Sequence, residues 1–121
     1  MRIFKNKAFH RWAKGVGLSD NKLKEVVNEI SNGLYEANLG GNVFKKRVAL
    51  DGGGKSAGAR TIVAFRTDKH VFFVYGYAKN VRSTISEQEE IALKKLVKLY
   101  FSFSDEQLAQ AIHVGELVEV N

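Results

Sequence analysis

Apolar residues recur along this chain with two different periods, and the change of period marks its elements. From Lys7 to Gly15, Ala8, Phe9 and Trp12 share one helical face, and Gly15-Val16-Gly17 ends the helix. Ser19 is placed as N-cap of a second helix running to about Ser31, in which Leu23, Val26, Val27 and Ile30 form an i, i+3, i+4, i+7 stripe. Asn32-Gly33 supplies its stop. Between Phe44 and Arg82 β-branched and aromatic residues crowd three strand segments, Phe44–Leu50, Ala59–Arg66 and His70–Ala78. A glycine-rich loop (Asp51–Gly58) separates the first two and a tight turn (Thr67–Lys69) the last two. Helical spacing returns after Ser86-Glu87-Gln88-Glu89, a capping-box sequence, with Ile91, Leu93, Leu96, Val97 and Tyr100. Ser104 and Gln107 repeat the capping spacing before Leu108, Ala111 and Ile112, and Gly115 closes that last helix.

Three stretches carry weaker patterns. Arg2–Phe4 alternates like a short edge strand, Leu34–Val43 reads as a loop, and Glu116–Val120 as an acidic tail or short strand. The order helix, helix, three meandering strands, helix, helix predicts an α+β fold. In it a small antiparallel sheet of three to four strands packs against two N-terminal helices, with C-terminal helices following. At 121 residues the chain is expected to form one domain, 1–121.

Charge separates one region from the rest. The window 44–82 holds nine Lys/Arg and two acidic residues (Asp51 and Asp68), a net of +7 in a chain whose total is +6. Everything outside it therefore sums to −1. Charge concentrated on one small sheet draws in phosphates, and Phe65, Phe72, Phe73, Tyr75 and Tyr77 interleave with the cations as surfaces on which bases stack. The competing reading is a solvated lysine-rich face, the commonest meaning of a charge run.

Composition narrows the chemistry. With no cysteine there is neither a disulfide nor thiol chemistry, and no Cys-based zinc site. No apolar run reaches the roughly 20 residues that span a bilayer, and Met1-Arg2-Ile3-Phe4-Lys5 has no secretory h-region, so the expected setting is the cytoplasm, with no membrane partner. His10, His70 and His113 lie in separate elements without ligand spacing, so neither a metal nor another cofactor is expected. Gly54-Lys55-Ser56 invites comparison with a P-loop, but the pattern needs glycine where Ala49 stands, and Ala59-Arg60-Thr61-Ile62-Val63 continues as a strand rather than a helix. A phosphate-touching loop is the better reading.

Antiparallel topology brings distant cations together. Lys55, Arg60, Lys79 and Arg82 are expected at one end of the sheet and His70 at the other. Lys45 and Arg47 share a face by the strand period, while Phe44, Val48 and Leu50 take the other, with Lys46 an apparent misfit among them. Asp51 is the one carboxylate expected beside the cluster, as a strand end.

Taken in order, Ala8-Phe9-His10-Arg11-Trp12, Phe44-Lys45-Lys46-Arg47-Val48, Gly58-Ala59-Arg60-Thr61-Ile62-Val63, Val74-Tyr75-Gly76-Tyr77-Ala78-Lys79-Asn80 and Ile85-Ser86-Glu87-Gln88-Glu89 resemble the RelE/HigB-type toxins of bacterial type II toxin–antitoxin systems. The loop from Gly52 to Arg60 is most similar to the HigB-side variants. The resemblance covers about residues 3 to 100 and leaves 101–121 as a C-terminal extension. It implies an mRNA interferase: an endoribonuclease that cuts message in the ribosomal A site without a metal, inhibits translation, and is held inactive by a cognate antitoxin. Such toxins use lysine and arginine where other ribonucleases use histidine and glutamate.

Carried over by position, the resemblance implies that Arg60 stabilises the transition-state phosphate and that Lys45 and Arg47 are the paired basic residues of the preceding strand. Lys79, Lys55 and Arg47 join Arg60 as catalytic candidates. Lys46, Asn80, Arg82 and Tyr77 join Lys45 as RNA-binding candidates. Asn80 stands where an arginine is expected, with Arg82 in position to compensate, and Ile85 and Ser86 stand where compact members carry a tyrosine. With that tyrosine gone, a lysine among other cations, Lys55 or Lys79, is the candidate base. Two other functions stay open: a ParE-like gyrase poison on the same scaffold, and a non-catalytic basic nucleic-acid-binding domain.

Overall fold

The computed structural model describes residues 1–50 and 58–121. Its elements in chain order are β1 (Ile3–Asn6), α1 (Lys7–Val16), α2 (Asp20–Ser31), β2 (Ala37–Gly40), β3 (Val43–Val48), β4 (Ala59–Phe65), β5 (Val71–Ala78), α3 (Glu87–Phe101), α4 (Asp105–His113) and β6 (Leu117–Glu119). The strands form one six-stranded sheet in the order β2-β3-β4-β5-β1-β6. Residues 51–57 of the expected glycine-rich loop, Asp51 and Lys55 among them, lie outside the described residues.

The helices begin and end where their capping residues sit. The Ser19 side chain accepts from the Lys22 N–H, and Ser86 with Glu89 and Ser104 with Gln107 form complete capping boxes. Gly17, at φ 74°, ends α1 in a conformation that glycine adopts without a Cβ penalty.

The sheet departs from expectation in three ways. It has six strands rather than three or four, because Ile3–Asn6, Ala37–Gly40 and Leu117–Glu119 all pair. These short strands have little local pattern; β1 is defined by partners about 70 and 110 residues away along the chain. It is not antiparallel throughout, since β1 runs parallel to β5. Nor is β1 an edge: it lies between β5 and β6. The stretch read as a loop from Leu34 to Val43 contains all of β2 and the first residue of β3.

Helix placement also differs, because the sheet is covered on both faces. Phe9, Ala13, Leu23, Val26, Val27 and Ile30 of α1 and α2 pack with Val48, Val63, Phe65, Val71 and Phe73. On the other face Val97, Leu108 and Ala111 of α3 and α4 pack with Phe4, Val43, Ile62, Ala64, Phe72 and Val74. Leu117 of β6 belongs to that second core. Residues beyond 100 therefore complete one of the two layers, and β4, buried along its whole length, is the centre of the molecule.

One irregularity in β5 determines what lies on the α3–α4 face. Ile62 pairs with Tyr75 but Val63 with Phe73, leaving Val74 as an extra residue. The bulge reverses side-chain parity: Phe72 and Val74 face α3 and α4, and so does Tyr75 directly after them. Gly76 then faces α1, where a Cβ would come within 2.2 Å of the Trp12 ring. Asn6 supports the bulge from the neighbouring strand, its Nδ2 donating to the Val74 carbonyl at 2.9 Å while its Oδ1 accepts from Phe9 N at the start of α1.

Candidate functional site

Three cross-strand rows run over β3, β4 and β5 on the α3–α4 face. Val43, Ala64 and Phe72 form the first, which is core. Lys45, Ile62 and Tyr75 form the second, and Arg47, Arg60 and Tyr77 the third. The face thus passes from apolar to cationic and aromatic in two steps, towards the sheet end from which Lys79 and Asn80 leave. Lys79 N donates to the Gly58 carbonyl at 3.1 Å, which places it at the same end as Arg60. His70 stands at the other end of β5, its ring 5.6 Å from that of Phe4.

Arg60 is the most constrained member. It is 5 % exposed, and its Nε lies 2.6 Å from Glu36 Oε2. Register sets it directly opposite Arg47, an arrangement that costs energy between like charges. The Glu36 carboxylate offsets that repulsion. Arg60 Nη1 is buried without a hydrogen-bond partner among the described residues, and so is the hydroxyl of Tyr77, its cross-strand neighbour.

Arg82 closes the side of the site next to α3. Its guanidinium lies 6.0 Å from the Tyr75 ring centre and 5.8 Å from that of Tyr77, and Nη1 donates to the Tyr75 hydroxyl at 3.1 Å. Both terminal nitrogens bond Glu89, and Nε donates to the Thr84 carbonyl at 2.9 Å. Arg82, expected as an RNA-binding cation, forms an ion-paired clasp between the exit of β5 and the first turn of α3.

The remaining candidates divide. Lys45 and Arg47 have no ion-pair partner among the described residues, and Arg47 is exposed. Lys46, expected to bind RNA with them, points to the opposite face, where its Nζ lies 3.6 Å from Glu29 Oε1 of α2. Its position among Phe44, Val48 and Leu50 follows from the strand period, and the ion pair is what makes it tolerable there. Lys79 and Asn80 are exposed. Lys55 lies outside the described residues.

Two carboxylates at the site escape a reading of local sequence. Glu36 reaches Arg60 from the bend before β2, and Glu89 reaches Arg82 while also accepting from its own helix's Ser86 N–H. The sequence shows only the capping-box spacing of Glu89, which signals a helix start, not a partner for Arg82. Tyr75 likewise becomes a site residue through the bulge. Among the described residues no three His, Asp or Glu side chains come together as a metal site, and no helix is long and apolar enough to cross a membrane.

A row of arginines and tyrosines beside a lysine without an ion-pair partner among the described residues suits a phosphodiester: guanidinium planes bind phosphate oxygens in pairs and tyrosine rings stack bases. No curated protein sequence matches this chain. The family model of the RelE toxin of the RelE/RelB toxin–antitoxin system matches residues 1–120, a span that includes α4 and β6, and the chain accordingly belongs to the RelE family of toxins, whose partner is an antitoxin.

Proposed function

We propose that this toxin is a ribosome-dependent mRNA interferase, cutting message in the A site without a metal and thereby stopping translation in the cytoplasm. The observation that carries the reading is the pair of rows on the α3–α4 face: Lys45, Arg47 and Arg60 beside Tyr75 and Tyr77 at one sheet end. A gyrase poison has no need of cations converging beside stacking surfaces.

The reaction is an internal displacement. The 2′-oxygen forms a bond to the neighbouring phosphorus and the bond from phosphorus to the 5′-oxygen breaks, giving a 2′,3′-cyclic phosphate and a 5′-hydroxyl. The proton of the 2′-hydroxyl passes to a base, for which Lys79 and Lys55 are the candidates, and the leaving 5′-oxygen takes one from a lysine ammonium or water. Arg60 faces the charge that builds on the phosphate, pre-aimed by Glu36, so little reorganisation is needed when that charge appears. Lys45 and Arg47 hold the flanking phosphates, and the half-buried Tyr75 ring orients a base.

Brief induction of the toxin in growing bacteria, followed by mapping of mRNA 5′ ends, tests the reading. Cuts inside translated codons, absent from an Arg60→Ala strain, are expected. Growth arrest with a DNA-damage response and intact mRNA would replace it with the gyrase reading, and absence of arrest with a binding module.

A further inference from the structure

Two residues that face each other across the β4–β5 ladder each carry a buried polar atom without a hydrogen-bond partner among the described residues. Arg60 is 5 % exposed and Tyr77 4 % exposed, they are direct partners in the β4–β5 register, and both Arg60 Nη1 and the Tyr77 hydroxyl lack a hydrogen-bond partner among the described residues. Leaving such groups unpaired is unfavourable, and more so where one is charged. Direct neighbours across a ladder have Cβ atoms about 5 Å apart, so the two side chains are within easy reach of a common ligand. The fold has no use for the Tyr77 hydroxyl: phenylalanine would fill the same space and leave no orphan.

What each atom lacks identifies the ligand. Arginine has donors only, and a tyrosine hydroxyl beside it has a proton to give. One acceptor carrying negative charge satisfies both. Glu36 takes up the Nε edge of Arg60 and leaves Nη1 directed elsewhere, while Arg47, directly opposite Arg60, adds a second positive charge. Arg82 lies over the Tyr77 ring, 5.8 Å from its centre, and adds a third positive charge beside the pair.

Building on the nuclease reading, we infer that Tyr77 is a second catalytic donor. Its hydroxyl and Arg60 Nη1 together hold one non-bridging oxygen of the phosphate being cut, and Glu36 is the positioning residue that aims the arginine. The pair acts on the charge that grows on that oxygen as the 2′-oxygen adds to phosphorus; it transfers no proton and forms no bond. Tyr77 thereby acquires a role separate from stacking.

The test uses the full-length toxin on ribosomes programmed with mRNA, measuring single-turnover cleavage, ribosome binding and thermal midpoint for each variant. Tyr77→Phe is expected to cut roughly a hundredfold more slowly, the loss usual for one oxyanion donor, with binding unchanged and a midpoint equal to or above wild type. Glu36→Gln, which can still accept from Nε, is expected to keep more of the cleavage rate than Glu36→Ala at equal binding. A Tyr77→Phe rate within about twofold of wild type, or a midpoint that falls along with it, overturns the inference. Equal losses in the two Glu36 variants overturn the positioning role. Wild-type protein that leaves mRNA intact would instead remove the nuclease reading itself, and this inference with it.

Discussion

Arg82 and Glu89, seven residues apart, join the exit of β5 to the first turn of α3 through a two-pronged pair in which Arg82 Nη1 lies 2.9 Å from Glu89 Oε2 and Nη2 bonds Oε1. Glu89 Oε1 also accepts from Ser86 N at 2.8 Å, so one carboxylate closes the capping box and clasps the sheet. Those contacts, the Arg82 bonds first and the Ser86 N–H next, hold the Glu89 carboxyl at about 2, below its ordinary 4.5, and Glu89 in turn raises Arg82. With its pKa depressed on folding, Glu89 contributes stability above pH 4.5, and the contribution is lost as pH falls from 4.5 towards 2. Glu89→Gln keeps a side chain able to close the capping box and removes the charge. Its thermal midpoint should lie below wild type at pH 7 and converge with it through that window; a gap independent of pH would show that the charge contributes nothing.

Trp12 and Gly76 are in a contact that leaves no room for a side chain. A Cβ on Gly76 would fall 2.2 Å from one atom of the Trp12 ring and 2.3 Å from the next. Gly76→Ala should therefore destabilise by about 1–3 kcal/mol in urea unfolding, the usual range for overpacking. Trp12→Leu in the same chain should recover part of that loss, which two independent defects would not do.

Lys45 and Arg47 are expected to act through charge, in contrast to Arg60. Alanine at either should weaken binding of single-stranded RNA at all sequences and flatten its salt dependence by about 0.7 in the slope of log K against log salt, one phosphate contact each. The same titration with Lys46→Ala should leave the slope unchanged, since Lys46 faces α2 and pairs with Glu29.

Histidine is expected to be dispensable for cleavage. Burial lowers the pKa of His10 and His70 below 6.5, with Lys5 and Lys14 adding to it at His10 and Arg2 at His70. His10→Gln/His70→Gln should cut within about twofold of wild type. Its stability should also be less acid-sensitive: the unfolded chain binds those protons more readily, so wild-type stability falls as pH drops below 6.5. A lost rate in this variant would return histidine to the mechanism.

Much of the scaffold is legible without coordinates. Ser19, Ser86 with Glu89, and Ser104 with Gln107 cap their helices as their spacing indicates, and the three central strands lie within a residue or two of the segments read for them. The face-sharing of Lys45 with Arg47, and of Phe44 with Val48, also follows from the strand period. Of the site, the gathering of Arg60, Lys79 and Arg82 at one sheet end is deducible from hairpin topology alone. Their pairings are not: Arg82 carries the same charge in the sequence whether it meets a phosphate or Glu89.

What the amino-acid order determines by itself is whatever is decided within a few residues: helix caps at three or four positions' distance, helical stripes, strand alternation, and the concentration of positive charge between 44 and 82. The tertiary structure decided the rest. It recruited Ile3–Asn6, Ala37–Gly40 and Leu117–Glu119 into the sheet, brought Glu36 and Glu89 to the arginines, and inserted Val74 as a bulge. Without that one extra residue, strict alternation would turn Tyr75 and Tyr77 towards α1 and α2 with Val71 and Phe73. Strand pairing and ion pairing join groups far apart in the chain, and a single shift of register exchanges the faces, so no local pattern encodes which side chains meet.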